Sequence, residues 1–222
     1  MTANQPLAVL WDMDGTLVDS EPYWMAAETP LVERYGGVWG HEQALQLVGL
    51  GLPDAARVLQ SAGVALGVDE IVDHLTDEVL RQMGELGLPF RPGAQELLRS
   101  LRDAGIKTAL VTMSMHRMAA SIVELIDFEA FDLVLGGDDV ARPKPHPDPY
   151  LQAADALGVD IARTVAIEDS PNGLRAAVAS GAVSLGVPHF VALDGVGADA
   201  LWPSLEGRGA DDVSALYRAH RP

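Results

Sequence analysis

LAVLWDMDGT, residues 7–16, decides how the rest of the chain is read. Its apolar run stops at Asp12, too short for a helix. Unalternated, it fits a strand buried on both faces, as in a parallel sheet. Asp12-Met13-Asp14-Gly15-Thr16 then sets two carboxylates two residues apart. On an extended segment both could point to one side, where one attacks and the other handles a proton. The same letters also spell an ordinary turn, because Asp and Gly are common loop residues.

The stretches 107–112, 131–137, 163–169 and 182–187 repeat the character of the first run. Helical patterns lie between them at 93–104, 116–125, 147–157 and 171–180, and a short terminal helix is predicted near 211–219. Gly105, Gly158 and Gly181 fall where a helix end needs a left-handed residue, and Ser170-Pro171 supplies an N-cap with proline at the first helical position. Alternating strands and helices predict an α/β fold, a Rossmann-like parallel sheet with helices on both faces. One connection is abnormal. About 80 residues separate the first strand from the helix at 93, where a few would do. Helical spacing recurs there at 21–35, 41–48, 54–62 and 69–84, broken by glycine-rich stretches at 36–37, 49–53 and 85–89. The expected division is a core of 1–18 and 90–222 with a small all-helical insert, 19–89, over the first strand's carboxyl end. The stretch after 187 reads mostly as loop.

Composition excludes several classes. The chain has 222 residues, 15 Lys+Arg against 32 Asp+Glu, and a formal net charge of -17. Such a charge lacks the footprint of a nucleic-acid binder or of a protein docking on an anionic membrane. There is no cysteine, which removes disulfides, Cys-ligated zinc and thiol catalysis. No apolar stretch nears the ~18 residues of a membrane span, and the N-terminus does not read as a signal peptide; a cytoplasmic protein is expected. Oligomeric state is not readable.

Three further motifs close later strands, the edge at which ligands bind in an open α/β sheet. Thr112 ends the second strand, with Met113 and Ser114 leading into a helix; hydroxyls and free N–H groups there could cradle an anion or merely cap the helix. Lys144 stands between two prolines in ARPKPHPDPY, one of only two lysines beside 13 arginines. Glu168-Asp169 close an apolar strand before SPNG, as solvated acids, helix-dipole partners or site residues.

The ordered set DxDGT, spaced Thr, KPxPxxY and EDS resembles the haloacid dehalogenase superfamily over nearly the whole chain, and the insert resembles the helical cap of its β-phosphoglucomutase and phosphoglycolate phosphatase branches. The resemblance implies an enzyme, a phosphatase cleaving a small-molecule phosphate ester through an aspartyl-phosphate. Asp12 would be the nucleophile and Asp14 the acid and then the base. Mg²⁺ would be held by Asp12, the Asp14 carbonyl and Asp169, with Glu168 assisting. Thr112, Met113 and Ser114 would bind the phosphoryl oxygens, and Lys144 would balance charge. Lys144→Ala is expected to abolish turnover without unfolding. A phosphomutase and a non-catalytic phospholigand-binding protein are the alternatives. The mutase needs cations in the insert, where only Arg34, Arg57 and Arg81 stand.

Other features are left as structure. His146 is taken as a loop histidine, Asp138 and Asp139 as loop or capping acids, and Tyr23, Trp24 and Trp39 as packing ahead of pocket lining.

Overall fold

The computed structural model describes residues 5–221 except Gly49; residues 1–4, part of the predicted break at 49–53 and Pro222 lie outside the described residues. Six strands form one parallel sheet in the order β3-β2-β1-β4-β5-β6, with β1 Ala8–Trp11, β2 Lys107–Val111, β3 Leu133–Leu135, β4 Thr164–Glu168, β5 Val183–Gly186 and β6 Ala200–Leu201. This is the doubly wound order, in which the chain reverses direction across the sheet beside β1 and leaves a crevice between the ends of β1 and β4.

Alternation along the strands builds two cores. Val9 and Trp11 of β1 and Val165 and Ile167 of β4 pack on one face with Leu97, Leu98, Met118 and Val213. These come from α5 (Ala94–Asp103), α6 (His116–Glu124) and α9 (Ala210–His220). Ala8, Leu10, Ala109 and Ala166 face the other way, onto Tyr150, Ala153, Ala176 and Ala177 of α7 (Asp148–Ala156) and α8 (Pro171–Ser180). The first face carries large side chains and the second mostly alanine, so α7 and α8 lie close on the sheet.

The predicted glycines do stand at helix ends with left-handed backbone: Gly105 at φ 70°, Gly158 at 67° and Gly181 at 86°. Ser170 caps α8, accepting from the Gly173 N–H at 3.1 Å. Three elements depart from expectation. Of the helical spacing at 41–48 only His41–Ala44 is α-helix, with turns after it. The strand predicted over 131–137 shrinks to three residues, because Gly136 and Gly137 press against the His116 and Met113 backbones and turn away from the sheet. β6 is missed altogether; at two residues it carries no periodicity.

Four helices fill the long connection: α1 Glu21–Arg34, α2 His41–Ala44, α3 Leu52–Ser61 and α4 Val68–Leu86. α4 packs on both α1 and α3. The outgoing and returning segments run side by side, with Val18 bridging Phe90 and the Asp19 N–H bonded to the Pro89 carbonyl at 2.7 Å. The two segments therefore leave and rejoin the sheet at one place.

Candidate active site

Register brings the motifs together. Trp11 lies opposite Leu110 on β2 and Ile167 on β4, so the next residue, Asp12, comes level with Val111 and Glu168. Into this row reaches Lys144, from the loop before α7. Its Nζ stands 2.7 Å from Asp12 Oδ1, 2.6 Å from Glu168 Oε1 and 2.8 Å from the Val111 carbonyl. Glu168 is fully buried and its Oε1 also accepts from the Tyr150 hydroxyl at 2.5 Å. Tyr150, six residues past Lys144, is a site residue that the sequence offered only as the last letter of KPxPxxY.

Two glycines make room for these acids. Gly15 has φ 84°, and a Cβ there would sit 2.0 Å from Asp169 Oδ2. A Cβ on Gly173 would fall 2.0 Å from the Glu168 carboxylate. Either methyl would evict a carboxylate, so both positions require glycine on contact grounds. Thr16 Oγ1 lies 3.5 Å from Asp169 Oδ1.

Asp14 gathers hydroxyls from both halves of the chain. Its Oδ2 takes Ser114 Oγ at 2.7 Å and Thr112 Oγ1 at 3.3 Å. Its Oδ1 takes Ser20 Oγ at 2.5 Å and the Trp24 indole N–H at 3.3 Å. Thr112 and Ser114 are thus spent on Asp14 here, with the Ser114 N–H bonded to Thr112 Oγ1 at 3.0 Å. Met113 contributes its sulfur, which accepts from the Lys144 N–H at 3.4 Å. Ser20 was missed by the sequence reading. Trp24 packs as the sequence suggests, at 8% exposure, and its N–H also serves Asp14.

The electrostatics are those of acids short of a cation. Burial, then the adjacent Glu168, pushes the Asp12 carboxyl up to about 7 despite Lys144. Burial, then Asp12 and Glu168, holds Asp169 well above the usual carboxylate range. Burial alone would lower Lys144, but Asp12 and Glu168 keep its ammonium above the ordinary lysine value. Asp12, Glu168 and Asp169 offer carboxylate oxygens all within 4.8 Å of one another, and all three are buried. Hard oxygen donors carrying more charge than one lysine neutralises fit a divalent cation such as Mg²⁺.

A cavity of about 100 Å³ opens over these groups. Asp12, Asp14, Thr112, Met113, Ser114, Lys144 and Asp169 line its core side, and Glu21, Trp24, Glu28, Leu52 and Leu75 line the side formed by α1, α3 and α4. Phe190, from the loop after β5, also borders it. His146 is exposed, and Asp138 accepts from the His116 N–H at 2.6 Å while Asp139 accepts from the Gly136 N–H at 2.8 Å. Among the described residues no helix is long and apolar enough to cross a membrane.

The chain is similar to known proteins in sequence and in fold. A family model for haloacid dehalogenase-like hydrolases matches residues 6–181. The phosphorylated carbohydrates phosphatase of Thermotoga maritima is 32% identical over 188 residues, covering 82% of this chain and 85% of that protein. Hexitol phosphatase B of Escherichia coli is 30% identical over 191 residues, covering 84% and 86%. In three dimensions, CbbY from Rhodobacter sphaeroides, solved as a mutant with xylulose-(1,5)bisphosphate, superposes with a TM-score of 0.82 at 30% identity, covering 94% of this chain and 99% of that one.

Proposed function

The chain belongs to the haloacid dehalogenase-like hydrolase family, and from that premise we propose that it is a Mg²⁺-dependent phosphatase that hydrolyses a small organic phosphate monoester through an aspartyl-phosphate. The observation that carries this reading is the placement of Asp12 against Lys144 at 2.7 Å, with Asp14 two residues on and the Thr112–Ser114 turn facing it.

In this reading residues 19–89 form a cap over a core of 1–18 and 90–222. An Asp12 oxygen attacks phosphorus, the ester P–O bond breaks, and Asp14 gives its proton to the departing alkoxide. Asp14 then takes a proton from water, whose oxygen attacks phosphorus and frees both phosphate and Asp12. Asp12 and Asp169, with the Asp14 carbonyl, would hold the Mg²⁺, which supplies charge neutralisation for the phosphoryl oxygens. Lys144 supplies the fixed positive charge and is itself oriented by Glu168 and Tyr150. Thr112 and Ser114 turn their hydroxyls from Asp14 to the arriving phosphoryl group, joined by the Met113 N–H.

A mutase must also grip a second phosphate, and the insert's cations are poorly placed for that. Arg34 is exposed, Arg57 pairs with Asp54, and Arg81 pairs with Glu78 and Glu85. None lines the cavity.

The test is free-phosphate release from a panel of phosphate monoesters with Mg²⁺, beside Asp12→Asn. Quenched turnover treated with borohydride should show reduction at Asp12 by mass spectrometry. Full activity of Asp12→Asn, or transfer within the substrate without phosphate release, would overturn the proposal.

A further inference from the structure

On α1 the cavity is lined by a carboxyl that the proposed reaction does not use. Glu28, on α1, is 4% exposed and lines the same cavity as Asp12 and Lys144. The Trp39 indole N–H fixes its Oε2 at 2.9 Å. Among the described residues no hydrogen bond is formed to its Oε1. Leu47, Leu52, Ala55 and Leu75 line the same cavity. A buried carboxyl without a cation costs stability, and one placed on a cavity beside the candidate catalytic acids is a candidate for ligand binding.

The charges around it narrow the ligand. Lys144 is the one cation among the described residues lining the cavity, against Asp12, Asp14, Glu21, Glu28 and Asp169. Lys144 and the ion are committed to the phosphoryl group. A second phosphate or a carboxylate on the leaving group would meet Glu28 and Glu21 with nothing to balance it. A hydroxyl both gives and takes hydrogen bonds and suits Glu28 whether or not it is ionised. An ammonium would have to leave water for an apolar wall and a carboxyl that burial holds at about 7, so a neutral donor is the better match.

We propose that Glu28 selects the leaving group, hydrogen-bonding through Oε1 to a hydroxyl of an uncharged polyol or sugar and excluding monoesters that carry a second anionic group. The proposal rests on the phosphatase reading and names the substrate class of that same site.

Steady-state kinetics with Mg²⁺ on a hexitol phosphate, phosphoglycolate, a sugar bisphosphate, phosphoethanolamine and p-nitrophenyl phosphate test it, with wild type, Glu28→Gln and Glu28→Leu. The wild type should favour the hexitol phosphate over the two anionic substrates by on the order of a hundredfold or more in kcat/KM. Glu28→Gln, still able to bond a hydroxyl, should keep much of its hexitol phosphate turnover while accepting phosphoglycolate better, with the change in KM. Glu28→Leu should lose the preference for hexitol phosphate over p-nitrophenyl phosphate. Melting curves identify a variant that fails to fold, and then the wild-type ranking and Glu28→Gln decide. Comparable turnover of anionic and uncharged substrates, a preference for phosphoethanolamine, or an unchanged ranking in Glu28→Gln would overturn this inference alone. No turnover of any ester, p-nitrophenyl phosphate included, would overturn the phosphatase reading and this one with it.

Discussion

His189 Nε2 lies 2.9 Å from Asp19 Oδ1, so the loop after β5 holds the residue at which the chain leaves the sheet for α1. Arg91, where the chain returns, donates to the other ring nitrogen, which assigns the proton to Nε2. One imidazole therefore clasps both connections of the helical insert. His189→Ala should cost about 1–2 kcal/mol, a fall in Tm of about 2–8 °C for a chain of this size. In the proposed reading of 19–89 as a cap, the clasp would sit where the cap joins the core, so kcat and KM should shift together. Unaltered melting and kinetics would show that the two segments hold themselves.

Lys144 pairs with two buried carboxylates, which changes what its removal does. The sequence reading expects Lys144→Ala to stop turnover and leave the fold intact. With Asp12 and Glu168 against it at 3% side-chain exposure, truncation strands two buried acids and should destabilise by about 3–5 kcal/mol. Activity should fall by about 10² to 10³ or more. A variant that melts like wild type would contradict the ion-pair argument even if inactive.

Crowded acids at Asp12, Glu168 and Asp169 predict that Mg²⁺ stabilises the protein without substrate. At a hundredfold excess over Kd the gain is about 3 kcal/mol, a rise in Tm of about 5–10 °C. Asp169→Asn should remove most of that rise, and chelation should remove activity in the wild type. An identical Mg²⁺ response in Asp169→Asn would place the ion elsewhere.

Glu28 should make stability depend on pH in a stated direction. Burial pushes its carboxyl up to about 7 from 4.5, with the Trp39 hydrogen bond opposing and the neighbouring charge of Glu21 adding to the rise. A raised folded-state value means the favourable contribution is complete below pH 4.5 and lost as pH climbs through 7. Glu28→Gln should therefore stabilise by on the order of 2–3 kcal/mol at pH 8 and much less at pH 5. Equal effects at both pH values would show that the carboxyl titrates normally.

Most of the core was legible because its strands are continuous apolar runs and its helices end on glycines that only one backbone conformation explains. Asp12, Asp14, Lys144 and Asp169 were legible because each follows a strand end or a rigid proline frame. Ser20, Trp24 and Glu28 were not. They lie on or beside α1, where burial uses the same residue types as binding, and only distance separates an indole that packs from one that also serves Asp14. Tyr150 is similar: a buried aromatic on a helix looks like core until its hydroxyl is seen on Glu168. β6 escaped because two residues cannot display a period.

One helix, α1, carries both Trp24, which touches Asp14, and Glu28. Four residues apart, they are separated by about 6 Å along the axis, and packing against α4 makes that spacing rigid. The helix is thus a ruler. Its zero mark is the indole that touches Asp14, and its next mark is the Glu28 carboxyl one turn away. In the proposed reading, a leaving group bound at Asp14 would be gauged against Glu28 along one stick.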